Sequence, residues 1–73
     1  MLFLEAMMPA IQITLLQGRS IEQKRRIARR VTDVMVEEAG TKPEAVVITF
    51  IEVPLENYAR NGVLIADERA EKT

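Results

Sequence analysis

The side chains that this sequence offers for chemistry are carboxylates, lysines, arginines, hydroxyls and one phenol, Tyr58. The 73 residues include no histidine and no cysteine. Histidine is the commonest metal ligand and the commonest acid–base group near neutral pH, and cysteine supplies thiolates and disulfides. The sequence therefore excludes thiolate chemistry, disulfide bonds and a zinc site of the usual ligand types, and we expect neither a metal nor a cofactor.

Arg19 is a candidate for binding an anion. It lies between Gly18 and Ser20, directly before a predicted helix. A helix N-terminus attracts negative charge, and a guanidinium group matches a carboxylate with two parallel donors. A lone arginine at such a place is also often a solvated surface residue, so its position alone leaves both interpretations open.

A basic cluster occupies the first half of the same predicted helix, and acidic residues occupy the second half. This order opposes the helix macrodipole, which favours anions near the N-terminus. It indicates either attraction of an anionic substrate or polymer or, as we favour, a solvated face with pairs such as Arg29 with Asp33 and contacts between subunits. The basic residues are Lys24, Arg25, Arg26, Arg29 and Arg30, and the acidic ones are Asp33, Glu37 and Glu38.

Two predicted strands and one helix must position these residues. Residues 10–16 alternate in polarity, which is typical of a strand. A capping-box pattern at Ser20 and Gln23 begins a helix that spans residues 21–39 and stops at a glycine. Residues 45–53 are apolar on both faces and form the second strand. Because the crossover contains a helix, the strands should be parallel with a right-handed connection.

The two ends of the chain differ in character. Residues 1–8 form an apolar octet with a single charge, too short to span a membrane and without the basic start of a signal peptide. They are predicted to be an N-terminal extension or a mis-assigned start. After a polar loop with an Asn-Gly turn, residues 63–66 are predicted to form a short strand. Residues 67–73 are predicted to be a solvated charged tail, so the domain spans residues 9–66.

The size of the chain predicts a homo-oligomer. A core built from fewer than roughly 70–80 residues rarely supplies more than about 3–5 kcal/mol without staples, metal or association. One helix covers only one face of the sheet, so a second copy of the chain is the simplest cover for the other face. The net charge of −1 argues against a nucleic-acid partner. We expect no membrane partner and a cytoplasmic location.

From Pro9 onward the sequence resembles the 4-oxalocrotonate tautomerase family of the tautomerase superfamily. The resemblance rests on a proline that opens the first strand, Gly-Arg-Ser at residues 18–20 before a Glu-Gln-Lys helix start, and Ile-Glu-Val-Pro-x-Glu-Asn-Tyr at residues 51–58. It covers residues 9–66. It implies an α/β (α+β) fold: an oligomeric β-α-β protomer with parallel strands, one crossover helix and a short C-terminal hairpin, assembling as dimers into a hexamer.

The resemblance also implies an isomerase that interconverts the enol and keto forms of a small anionic substrate, a 2-hydroxy-dienoate or enolpyruvate-type acid. Pro9 matches the catalytic proline of the family, whose amine is freed by removal of the initiator methionine. Arg19 matches the arginine that binds the substrate, typically in the site of a neighbouring subunit. Tyr58 matches the aromatic residue that keeps the pocket apolar.

The sequence departs from the family pattern at two places. The second arginine of the family falls on Val47, which disfavours a dicarboxylate substrate, and Arg60 is a candidate replacement cation. With residues 1–8 attached, the nitrogen of Pro9 is a tertiary amide with no basic lone pair, so we expect that form to be inactive by the proline mechanism. The alternative function is therefore a non-catalytic oligomeric scaffold or binding protein with the tautomerase fold.

Overall fold

The computed structural model describes residues 8–72. They form two short sheets and two helices, with a 3-10 turn before and after the second long strand. In chain order the elements are β1 (Ala10–Leu16), α1 (Ile21–Ala39), a 3-10 turn (Pro43–Ala45), β2 (Val47–Val53), a 3-10 turn (Leu55–Asn57), β3 (Ala59–Arg60), β4 (Val63–Leu64) and α2 (Ile65–Lys72).

The main sheet pairs β1 with β2 in parallel, which confirms the predicted β-α-β unit. Ala10 lies beside Val47 at one end, and Leu16 lies beside Val53 at the other. The amide of Gln17 extends the ladder by donating to the carbonyl of Val53 at 2.9 Å. Since the strands run in the same direction, the residues before β1 meet the start of β2, and the residues after both strands leave from the opposite edge.

Local capping chemistry sets both ends of α1, as predicted. The Ser20 hydroxyl accepts from the Gln23 amide at 3.1 Å, and the Gln23 side-chain oxygen accepts from the Ser20 amide at 2.8 Å. Gly40 ends the helix in the left-handed region, with φ 69°, where its amide donates to the Val36 carbonyl at 3.2 Å. A side chain at this φ would be strained, which explains the glycine.

Replacing Ser20 with alanine should lower the free energy of unfolding by about 1 kcal/mol, because an amide in the first turn loses its acceptor. Chemical denaturation measures the change. Ser20→Thr keeps the hydroxyl and serves as the control, so equal losses in the two variants would contradict a capping role.

Helix α1 covers one face of the main sheet and leaves the other open. The covered face carries Ile11, Ile13, Ile48 and Phe50, which are half-buried, and Glu52 at its end forms an ion pair with Lys24 of α1. On the open face Val47 and Ile51 are 48% and 38% exposed. Exposed apolar side chains on an open sheet face are typical of a surface that another subunit covers.

The C-terminal region departs from the sequence prediction. The predicted hairpin is present, and its turn residues Asn61 and Gly62 both have positive φ, as a two-residue hairpin turn requires. However, the last strand ends at Leu64 instead of residue 66, and residues 67–72 of the predicted tail are helical in α2. Alanine, glutamate, arginine and lysine are strong helix formers. The segment was predicted to be a tail because most of its residues are charged.

Tertiary contacts fix α2 against the hairpin. The Ile65 amide donates to the Tyr58 carbonyl at 2.8 Å, and the Ile65 side chain, at 3% exposure, is the one buried apolar side chain among the residues whose burial is described.

The second long strand also begins later than predicted, at Val47. Residues 43–45 form a 3-10 turn instead, in which the Val46 amide donates to the Pro43 carbonyl at 3.2 Å.

Candidate active site

Pro9 lies directly before β1 and is half-buried. Its carbonyl accepts from the Val47 amide at 3.0 Å, which ties the proline to the first residue of β2. The backbone of Val47 is therefore the part of β2 nearest to Pro9, and its exposed apolar side chain stands where the sequence lacks the expected cation. This neighbourhood supplies apolar surface to the proline and no positive charge from β2.

Arg19 occupies the loop between β1 and α1. Gly18 precedes it at φ 114°, a conformation that side chains rarely adopt, so the turn into the helix depends on this glycine. The Arg19 side chain is exposed and lines a cleft of ≈ 300 Å³, which we call the arginine cleft. Its lining residues are Arg19, Gln23, Arg26, Ile27 and Arg30.

Tyr58 lies between the second 3-10 turn and β3. Its backbone is held by the hydrogen bond from Ile65, while its side chain is 44% exposed. An aromatic ring anchored through its backbone but open to solvent is available to line a pocket that another subunit completes.

Arg60 is already paired with a carboxylate. Its Nε donates to Glu68 Oε2 at 3.3 Å and its Nη2 donates to Glu68 Oε1 at 2.6 Å, a two-bond fork that joins the hairpin to α2. The hydrogen bond and the negative charge of Glu68 raise the pKa of Arg60 above its usual value. Glu68 therefore neutralises the charge of Arg60 within the protomer. Arg60 is the residue that the sequence suggested as a replacement cation.

The candidate residues leave the sheet at opposite edges. Pro9 stands at the start of β1, whereas Arg19 follows its end, and the segment that leads to Tyr58 and Arg60 leaves from the end of β2 at that same far edge. Seven strand residues at roughly 3.3 Å each separate the two edges by about 20 Å. One protomer therefore does not bring Pro9 and Arg19 together, which is why a site that uses both requires a second copy of the chain.

The arginine cleft was not foreseen from the sequence. The sequence predicts that the basic cluster is a solvated face with a pair between Arg29 and Asp33. Its four arginines are exposed as predicted, but the ion pair formed within α1 joins Arg25 to Glu22. The four-residue spacing of Arg26 and Arg30 was the available signal, since it places both on the same helix face. No group of three metal-binding side chains is found within residues 8–72, and no helix in that range is long and apolar enough to cross a membrane.

The chain matches a known protein family over most of its length. A protein-family model described as "Tautomerase enzyme" matches residues 9–68, from Pro9 into α2. A 2-hydroxymuconate tautomerase from Comamonas testosteroni is 41% identical over 56 residues, an alignment that covers 77% of this chain and 89% of that protein. The family model begins at Pro9 and so leaves residues 1–8 outside its match.

Solved structures show the same architecture. A 4-oxalocrotonate tautomerase isozyme from Methylibium petroleiphilum superposes with a TM-score of 0.85 at 33% identity, covering 86% of this chain and 98% of that one. A heterohexameric 4-oxalocrotonate tautomerase from Chloroflexus aurantiacus superposes with a TM-score of 0.79 at 30% identity, covering 82% and 97%. Each superposition covers nearly the whole length of the solved structure, so the β-α-β unit and the hairpin are shared together.

Proposed function

Since the chain belongs to the 4-oxalocrotonate tautomerase family of the tautomerase superfamily, we propose that it is an isomerase for a small 2-hydroxy-dienoate or enolpyruvate-type acid, with Pro9 as the acid–base group. The observation that carries this proposal is the position of Pro9. It opens β1, is half-buried, is tied to β2 through its carbonyl, and stands beside the apolar Val47.

The proposed reaction moves one proton and shifts a double bond. An α-amino group has an ordinary pKa of about 7.7–8.0, and apolar surroundings lower it by disfavouring the charged form. A neutral proline amine takes the proton from the enol hydroxyl, and the resulting ammonium returns a proton to a carbon of the substrate, which gives the keto form. The guanidinium of Arg19 binds the carboxylate and stabilises the negative charge that develops on the oxygen, while Tyr58 keeps the pocket apolar.

This chemistry requires that the nitrogen of Pro9 be a secondary amine. A peptide bond from Met8 converts it to a tertiary amide, which has no proton to give and no basic lone pair. The active form in this proposal begins at Pro9, and the form that retains residues 1–8 is inactive by the proline mechanism.

The proposal includes assembly into a homo-oligomer, a dimer that builds a hexamer, in the cytoplasm. The separation of about 20 Å between the sheet edge with Pro9 and the edge followed by Arg19 favours a site shared between copies. The open face of the main sheet, where Val47 and Ile51 are exposed, offers a surface for that association. The heterohexameric relative from Chloroflexus aurantiacus supports an assembly of six chains.

The test is an ultraviolet assay for ketonisation of phenylenolpyruvate or 2-hydroxymuconate by protein that begins at residue 9. Pro9→Ala keeps a terminal amine but loses the ring that orients it, and we expect kcat/KM to fall about 100-fold, because small misplacements of a reacting group cost about that much. Equal rates for the parent and the variant would contradict the proline mechanism and favour the non-catalytic scaffold.

A further inference from the structure

The arginine cleft gathers three guanidinium groups that form no ion pair in the described part of the chain. Arg19, Arg26 and Arg30 line it together, and none of the ion pairs formed within residues 8–72 involves any of the three. Arg26 and Arg30 are like charges at i, i+4 in α1, an arrangement that disfavours an isolated helix. The stability of α1 therefore does not explain them.

A neighbouring groove on the same helix shows the contrast. It measures ≈ 720 Å³, shares Arg26 with the arginine cleft, and is also lined by two acids, Glu22 and Asp33. One of its arginines, Arg25, is paired with Glu22. No acidic residue lines the arginine cleft, so the uncompensated charge of α1 collects beside Arg19, the residue proposed to bind the substrate.

The lining of the cleft selects a class of ligand. Its ≈ 300 Å³ lies at the lower end of the range for small-molecule sites. Guanidinium groups bind carboxylates through paired hydrogen bonds, and the half-buried Ile27 offers apolar surface between them. A short apolar chain with a carboxylate at each end matches this combination.

We propose that Arg26 and Arg30 bind the second carboxylate of a dicarboxylic substrate whose first carboxylate binds Arg19, an inference that rests on the proposed function. These two arginines restore the cation that is missing at Val47. Arg60 is a poor substitute because Glu68 already matches its charge. The expectation from sequence, that Val47 disfavours a dicarboxylate, is then reversed by residues on a different element.

The test measures binding to the full chain, which does not depend on the chemistry of Pro9. The probes are trans,trans-muconate and sorbate, six-carbon dienoates that differ in a single carboxylate, titrated by calorimetry. The double variant R26Q/R30Q should weaken muconate binding about tenfold and leave sorbate within about twofold. R25Q/R29Q removes the same charge from the neighbouring groove and should leave both affinities within about twofold.

Three results would overturn the proposal: equal affinity of the parent chain for the two probes, equal losses in the two double variants, or disassembly of R26Q/R30Q in light scattering. The second would indicate general surface charge, and the third would indicate that the arginines pair with carboxylates of another copy. Failure of the proposed function would be visible separately, as unchanged ketonisation rates in Pro9→Ala.

Discussion

Protein that begins at Pro9 is expected to ketonise phenylenolpyruvate about 1000-fold faster than protein that retains residues 1–8, since a positioned general base contributes roughly 10²–10⁴-fold. The amide formed with Met8 spreads the nitrogen lone pair over the carbonyl group and leaves no base. The measurement is kcat from ultraviolet absorbance at saturating substrate, with mass spectrometry to confirm each terminus.

A chain with one alanine added before Pro9 is the matched control. It should be as inactive as the chain with the full octet, because any acyl group on the nitrogen removes its basicity. Full activity in the alanine-extended chain would contradict a role for the amine and assign any inhibition to the bulk of residues 1–8. Mass spectrometry of the protein from its native source then identifies the form that operates there.

Arg19→Gln is expected to lower kcat/KM about 100-fold in protein that begins at Pro9, because the variant loses the charge that stabilises the developing oxyanion.

Oligomers assembled from equal amounts of Arg19→Gln and Pro9→Ala chains should recover about a quarter of the parent activity. If each site takes its proline and its arginine from different subunits, random mixing gives about one site in four with both residues intact.

The comparison that isolates this effect uses the same two variants assembled separately and mixed afterwards without subunit exchange. That mixture should stay at the level of the single variants. If native mass spectrometry shows mixed oligomers but activity does not rise, Pro9 and Arg19 act within one protomer, and the separation across the sheet has been misinterpreted.

The main β-α-β unit was predictable because its signals are local. The alternation of residues 10–16 and the capping box at Ser20 act within a few residues, and both appear in the structure as predicted. Helix α2 was missed because its residues carry no apolar stripe. It is held by contacts to the hairpin segment before it, notably the Arg60–Glu68 pair and the hydrogen bond from the Ile65 amide to the Tyr58 carbonyl. The late start of β2 reflects a proline turn that competes with strand propensity.

The site was predictable in its residue types but not in its arrangement. The resemblance selected Pro9, Arg19 and Tyr58 from their order along the chain. That Pro9 and Arg19 flank opposite ends of one strand follows from the topology once the strands are known to be parallel. For the arginine cleft, the sequence shows that Arg26 and Arg30 share a helix face, but not that Arg19 lines the same cleft, because that placement depends on the loop at Gly18, where φ is 114°.

The burial of Ile65 has a consequence for how this protein responds to dilution. Within the residues whose burial is described, the one buried apolar side chain lies at the start of α2, and the main sheet has none. If assembly supplies the missing burial, the law of mass action couples folding to chain concentration, and the melting temperature rises with the amount of protein. Loss of structure and loss of activity would then follow the same dilution curve, governed by one dissociation constant.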